Sequence, residues 1–392
     1  MAWERIVLLV IDACGVGELP DAAAYGDDGA ATLPHVAKAV GGLNLPHCRR
    51  LGLGNIVPIR GVPPAAQSQA AFGKMAERSQ GKDSTIGHWE LAGLVSPEPF
   101  PVYPNGFPQE LVREFEKRAG VEAIGNEPAS GTEIIARLGA EHLETGKVIL
   151  YTSADSVFQL AAHEERVPPG ELYRICRVAR NLLQGEHGVG RVIARPFVGE
   201  QGSFRRTAGR RDFSRPPSGP TLLDAVQETG TGVKAIGKIN DLFAGRGVDT
   251  AVKTPNNEAG MDEIVVTVRN DNDHALVFAN LCDFDELWGH RNDPVGFAGG
   301  LEAFDRRLGE LLPLLRDSDL LVITADHGCD PTLTDSTDHT REYVPLLVYA
   351  PVGLRPVALG TRQTFADVAA TLAKVFGLDD SFPGVSCLHE IT

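Results

Sequence analysis

The stretch RIVLLVI, Arg5–Ile11, is apolar at every position after the first and stops at Asp12, ahead of Gly15 and Gly17. Apolar residues in succession rather than in alternation, over so short a run, predict a parallel strand buried on both faces. Two later segments repeat the design. ALVFANL (Ala275–Leu281) runs into Cys282, Asp283, Phe284 and Asp285, and LLVIT (Leu320–Thr324) runs into Ala325, Asp326, His327 and Gly328. Between them Phe297, Leu301, Phe304, Leu308, Leu311 and Leu315 recur at three- and four-residue spacing, which predicts an amphipathic helix over Phe297–Leu315. Strand, helix and strand in that order imply a right-handed parallel crossover. A further strand is expected at Pro345–Tyr349. A last helix is expected at Phe365–Phe376, with Thr364 and Asp367 at capping-box spacing and Gly377 as its stop. The outer parts of the chain therefore read as α/β, built on a central, mostly parallel sheet.

The middle reads differently. Pro97, Pro99, Pro101, Pro104 and Pro108 crowd one stretch, and Pro216, Pro217 and Pro220 another, so two rigid zones bracket an insert. The expected organisation is a core of residues 1–98 and 218–392 with a smaller α/β cap at 99–217. The insert has strand candidates at Val148–Thr152 and Val192–Ala194 and a helix candidate at Leu172–Leu183.

The 392 residues carry 37 Lys and Arg against 52 Asp and Glu, a net charge of −15, which disfavours general attraction to nucleic acid or an anionic membrane. No apolar run approaches the ~18 residues of a membrane span, and the first ten residues read as a strand rather than a signal peptide, so a cytoplasmic address is expected. Six cysteines are scattered with no C-x-x-C pair, which argues against a zinc knuckle or a disulfide framework.

Ligands in open α/β sheets bind beyond the carboxyl ends of the strands. Asp12, Asp285 and Asp326 occupy three such ends. His327 adjoins Asp326, His290 follows Asp285 by five residues, and His339 lies in STDHTRE. Three carboxylates and three imidazoles exceed one tetrahedral ion but suit two divalent ions ~3.5–4 Å apart. A single Asp after a strand is more often a turn or cap residue, and a single His more often a satisfied core group; repetition at three strand ends argues for metal. Cys14 and Cys329 read as small loop fillers rather than ligands. KDSTIGHWE (Lys82–Glu90) offers the hydroxyls of Ser84 and Thr85 just ahead of a short helix. There, free backbone N–H groups would favour a phosphate and a metal would activate the hydroxyl, although plain helix capping is the commoner use of such residues.

VLLVIDACGVGELPDAAAYGDDGAATLPH, KDSTIGHWE, AIGKINDLF, DFDELWGHRND and ADHGCDPTLTDSTDHTREYVP, taken together, resemble the phosphopentomutase family of the alkaline phosphatase superfamily, from end to end. The resemblance implies an alkaline-phosphatase-like core and two ions, manganese by family habit though other divalent ions would serve. It places Asp12, Asp326 and His327 on one ion and Asp285, His290 and His339 on the other. It also implies that Thr85 carries the phosphoryl group, as the threonine retained where this chain reads Ser84, Thr85 and Ile86.

Seven arginines (191, 195, 205, 206, 210, 211 and 215) face only Glu200 and Asp212 in the insert, a local balance of +5 that suggests an anion site. A solvated charged face is the blander reading, and nucleic acid is disfavoured because no aromatics alternate with the arginines. The resemblance assigns the grip on a phosphosugar to Ser153, Asp155, Val157, Arg195, Arg206 and Lys238. The activity it implies is interconversion of ribose 1-phosphate, and its 2-deoxy counterpart, with the 5-phosphate. A phospho-threonine and a sugar bisphosphate would be the intermediates, the latter also an activator, with the cap excluding water. A metal-dependent phosphatase or phosphodiesterase, another phosphosugar mutase, or a non-enzymatic metal- or anion-binding module are the alternatives.

Overall fold

The computed structural model describes residues 3–153, 156–270, 273–378 and 382–392. Two compact units make up the chain, Met1–Glu98 with Pro217–Thr392, and Pro99–Pro216.

The first unit is built on an eight-stranded sheet in the order Thr250–Val252, Gly232–Ile236, His274–Leu281, Arg5–Ile11, Asp319–Thr324, Val344–Tyr349, Ala71–Met75, Ala358–Arg362. All neighbours run parallel except Val344–Tyr349, which is antiparallel to both strands beside it. Every residue of Arg5–Ile11 is buried, as its unbroken apolar run requires. The two segments of similar design flank this central strand on either side, so the crossover from His274–Leu281 to Asp319–Thr324 passes over one strand. Register is fixed at the start of the strands by a buried bidentate pair. Arg5 donates from Nε to Asp319 Oδ1 at 2.9 Å and from Nη2 to Oδ2 at 2.6 Å, and these two residues are also paired in the ladder. Breaking such a pair by removing one partner typically costs about 3–5 kcal/mol. At the other end Val10 lies opposite Thr324, so Asp12 and Asp326, each two residues further on, emerge level with one another.

The crossover helix runs over Pro294–Leu311 rather than Phe297–Leu315. Asp293 caps it by accepting from Gly296 N at 2.8 Å, Pro294 takes the first turn where no N–H is needed, and Pro313 confines the remainder to a 3₁₀ turn, Leu312–Leu314. The last helix, Ala366–Val375, lacks the expected capping box. Thr364 Oγ1 donates instead to Glu90 at 2.7 Å, while the Asp367 carboxylate takes Arg362 Nε and Val385 N. Tertiary partners outcompete the local cap.

The second unit has a six-stranded sheet. Ala123–Pro128, Val148–Thr152, Val157–His163, Arg191–Val198 and Arg205–Arg206 follow in order, and Arg211–Ser214 also pairs with Arg191–Val198. Alternate residues of Val148–Thr152 serve opposite faces. Val148 and Leu150 pack with Phe115, Phe158, Leu172 and Ile175, and Ile149 and Tyr151 pack with Ile134, Ile135 and Phe197. The strand expected at Val192–Ala194 extends to Arg191–Val198, because the ladder tolerates Arg195 where an apolar pattern does not. No helix among the described residues is long and apolar enough to cross a membrane.

Candidate active site

Asp12, Asp285 and Asp326 are brought together in the first unit, at the carboxyl ends of three adjacent parallel strands. Asp12 and Asp326 arrive directly from their strands. Asp285 sits in a π-helical turn, Phe284–Trp288, of the kind that proteins favour at functional sites because it re-aims a side chain. Ala13 takes up a left-handed φ of 63°, a strained conformation for a side-chain-bearing residue, and its N–H thereby reaches Asp326 Oδ1 at 3.3 Å.

All three histidines join them. His327 Nε2 lies 3.4 Å from Asp12 Oδ1 and 3.3 Å from Asp326 Oδ2. His339 Nε2 and His290 Nε2 lie 3.1 and 3.3 Å from Asp285 Oδ1, and 3.1 Å from each other. Each ring is oriented through its other nitrogen by a backbone carbonyl: His327 Nδ1 by Gly328 O at 3.0 Å, His339 Nδ1 by Lys82 O at 2.8 Å, His290 Nδ1 by Thr337 O at 2.6 Å. If each Nδ1 holds the proton it donates to that carbonyl, each Nε2 presents a lone pair to the carboxylates.

Asp12 Oδ1, Asp285 Oδ1 and Asp326 Oδ2 are buried without a hydrogen bond although nitrogens stand within 3.4 Å of each. Convergent lone pairs from buried carboxylates and imidazoles are what cations would reconcile, and this oxygen and nitrogen set fits divalent ions. Without them burial pushes the Asp12 carboxyl well above its usual range, with Asp326 and Asp285 adding to the effect, and burial pulls His327 down to about 4. Asp12, Asp326 and His327 form one cluster able to hold an ion. Asp285 joins His339 with His327 in a second, and His290 with Cys329 in a third. Cys329, read from sequence as filler, therefore stands within ligand range.

The hydroxyl that reaches the cluster is that of Ser84. Its Oγ lies 3.0 Å from His327 Nε2, at the first turn of the helix Ser84–Leu91, whereas Thr85 is buried and its hydroxyl has no hydrogen-bond partner among the described residues. Helical spacing explains the difference. His88, four residues after Ser84, shares its face, and His88 Nδ1 lies 2.7 Å from Ser84 O and 3.1 Å from Asp326 Oδ2. Thr85 is rotated about 100° away. The helix-start N–H groups expected to be free for phosphate are partly committed, because Asp83 Oδ1 accepts from Thr85 N and Ile86 N, each at 3.1 Å.

Sequence reading missed the supports of the cluster. Asn280 Nδ2 stands 3.0 Å from Asp12 Oδ2 and 3.1 Å from His88 Nε2, so His88 and Asn280 tie the Ser84 helix to two carboxylates. The spacing of Ser84 and His88 was the signal available for it. Replacing His88 with alanine should weaken divalent-ion affinity about 10–100-fold, as loss of such outer partners typically does, and lower turnover without unfolding the chain. Calorimetric titration with the metal, beside a thermal melt, measures both. Gly87 lets the helix approach: a Cβ there would lie 2.2 Å from the Asp326 carbonyl oxygen. Gly87→Ala should therefore move the helix off the strand end and reduce turnover at least about 10-fold, the scale expected when a reacting group is displaced by part of an ångström. Steady-state assay and crystallography would show both effects.

The substrate candidates divide between the units. Lys238, at the start of the short helix Ile239–Leu242, belongs to the first, with Nζ 2.9 Å from Glu286 Oε1. Burial works against its charge, but Asp12, Cys282, Glu286 and Asp285 more than offset that and hold the ammonium well above its usual range. Ser153, Val157, Arg195 and Arg206 belong to the second, and Asp155 lies outside the described residues. The arginines there are unequally occupied. Arg210 is bidentate to Asp212, Arg211 lies over the Tyr173 and Phe213 rings, and Arg215 lies over Phe100 and donates to Gly188 O. Arg195 donates to Gln159 at 3.3 Å, and Arg206 is exposed.

Fold and site define a metal-dependent enzyme, and residues 4–380 match the metalloenzyme superfamily. A solved structure of a Pyrococcus horikoshii protein shares the fold at a TM-score of 0.50 and 14% identity, covering 98% of this chain and 100% of that one. The phosphopentomutase of Caldanaerobacter subterraneus subsp. tengcongensis is 55% identical over 391 residues, 99% of this chain and 98% of that one. That of Acetivibrio thermocellus is 54% identical over 388 residues, 99% and 100% of the two. The chain belongs to the phosphopentomutase family of the metalloenzyme superfamily.

Proposed function

We propose that the chain interconverts ribose 1-phosphate and 2-deoxyribose 1-phosphate with the corresponding 5-phosphates, as a cytoplasmic enzyme of nucleoside metabolism. The observation that carries this reading is the Ser84 hydroxyl, 3.0 Å from His327 Nε2, beside carboxylates that keep unpartnered oxygens, in a chain 55% identical to a phosphopentomutase. Asp12, Asp326 and His327 would hold one ion, and Asp285, His290 and His339 the other. Their oxygen and nitrogen donors suit Mn²⁺. Bound there, two such ions supply charge neutralisation to a phosphoryl group and lower the proton affinity of a nearby hydroxyl.

The chain's own residues do the rest. Ser84, in preference to Thr85, carries the phosphoryl group, passes it to the free hydroxyl of a pentose monophosphate, and receives the other phosphoryl group back from the resulting bisphosphate. His88 holds the Ser84 backbone at one distance from Asp326. Lys238 adds a fixed positive charge beside Asp12 and Asp285 in the first unit. In the second unit, Ser153, Asp155, Val157, Arg195 and Arg206 are the proposed phosphosugar contacts. Arg195 and Arg206 suit that task because their guanidinium groups are less engaged by carboxylates than that of Arg210.

The test supplies ribose 1-phosphate, Mn²⁺ and a catalytic amount of sugar bisphosphate as activator, and follows ribose 5-phosphate and inorganic phosphate together. Formation of ribose 5-phosphate with little free phosphate is expected. Free phosphate as the main product would replace this reading with a phosphatase.

A further inference from the structure

We propose that Asp285, His290 and Cys329 form an alternative seat for one soft divalent cation, Zn²⁺ or Cd²⁺, which competes with the harder ion for two shared ligands. The inference rests on the metal cluster of the proposed function but not on its reaction. The ligand atoms of these three residues lie within 4.8 Å of one another. His290 has one nitrogen committed to Thr337 O, which leaves Nε2 for a metal. Asp285 Oδ1 is buried and lacks a hydrogen bond. The Cys329 sulfur is buried too, with a long contact to the Asp338 carbonyl at 3.5 Å and the His290 ring beside it.

The two seats differ in one donor. With His339 the set is all nitrogen and oxygen and suits Mn²⁺; with Cys329 it gains a sulfur, and thiolate donors select Zn²⁺ and related soft ions over Mn²⁺. Binding replaces the S–H bond by a sulfur–metal bond and releases the proton to solvent; solvent completes the tetrahedron. Because Asp285 and His290 serve both seats, a soft ion in the one removes the second productive ion from the other. Zn²⁺ and Cd²⁺ thus become inhibitors of a chain that Mn²⁺ activates.

The full chain, stripped with a chelator, is titrated with Cd²⁺ while the ultraviolet thiolate-to-cadmium absorption is followed. A band saturating at one Cd²⁺ per chain is expected, with its midpoint raised at least about 10-fold by excess Mn²⁺. Cys329→Ser should abolish the band, whereas Cys14→Ser and Cys282→Ser should keep it. Zn²⁺ should inhibit Cys329→Ser at least about 10-fold less effectively than the parent, each measured relative to its own Mn²⁺-dependent turnover, since the serine oxygen is a poor soft-ion donor. The retained thermal shift with Mn²⁺ shows that the variant is folded, and Cys329→Ala replaces it otherwise. A band that survives loss of the Cys329 thiol, or Cd²⁺ bound tightly without any band, overturns the seat. The absorption reports on the seat even if ribose 1-phosphate is not the substrate, so the two readings fail separately.

Discussion

Ser84→Ala is expected to lower isomerase turnover by at least about 10⁴-fold, the scale on which removing a covalent nucleophile acts, while Thr85→Val stays within about 10-fold of the parent. The asymmetry comes from helix geometry rather than from residue type. Ser84 Oγ faces His327 Nε2 at 3.0 Å, and the side chain sharing its face, His88, is in contact with Asp326. Among the described residues the Thr85 hydroxyl has no hydrogen-bond partner, so its loss leaves none of them unpaired. Ser84→Thr should keep activity within about 10-fold, because the hydroxyl is retained at the same backbone position. Incubation with a sugar bisphosphate followed by peptide mass spectrometry supplies the independent readout: one added phosphoryl group on Ser84 in the parent, none in Ser84→Ala. Label on Thr85, or an active Ser84→Ala beside an inactive Thr85→Val, would return the nucleophile to the threonine.

The same residues explain what the sequence could and could not convey. Asp12, Asp285 and Asp326 were legible because buried parallel strands are unbroken apolar runs, and a carboxylate following each run must emerge at the same edge of the sheet. His290, His327 and His339 were legible as a set through the end-to-end resemblance, and the structure gathers all six side chains. The choice between Ser84 and Thr85 was not, because it depends on which face of one helix turns toward the strand ends. The contact that favours Ser84 in the proposed reading spans 243 residues of sequence. Cys329 was passed over for a related reason: its sulfur meets His290 and Asp285 only once the π-helical turn Phe284–Trp288 has folded back. At the last helix a local pattern misled. Thr364 and Asp367 have capping-box spacing, but Glu90 and Arg362 claim their side chains.

Asp12→Asn should change activity and metal-free stability in opposite directions. In the chelated protein three carboxylates meet in a region where Asp12 and Asp326 have no exposed surface and Asp285 only 4%, and each keeps an unpartnered oxygen. Like charges out of water destabilise the fold, and burial with the neighbouring Asp326 and Asp285 pushes the Asp12 carboxyl up despite the opposing charge of Lys238. An amide of the same shape removes one of those charges. Its oxygen still accepts from Asn280, which stands 3.0 Å from the present carboxylate, and its NH₂ can donate to a remaining one. The metal-free melt should therefore rise by a few degrees, the shift that about 1 kcal/mol produces in a chain of this class. Divalent ions reverse the order. They stabilise the parent by about 4 kcal/mol at a thousand-fold excess over the dissociation constant, and the variant by much less, because a neutral amide is a weaker ligand. Turnover should fall at least about 10³-fold, since the seat beside Ser84 loses a charged donor. Melts with chelator and with Mn²⁺, beside metal analysis, measure every part of this. If Asp12 served only to hold the end of its strand, the substitution would lower stability under both conditions and leave the metal-induced shift intact.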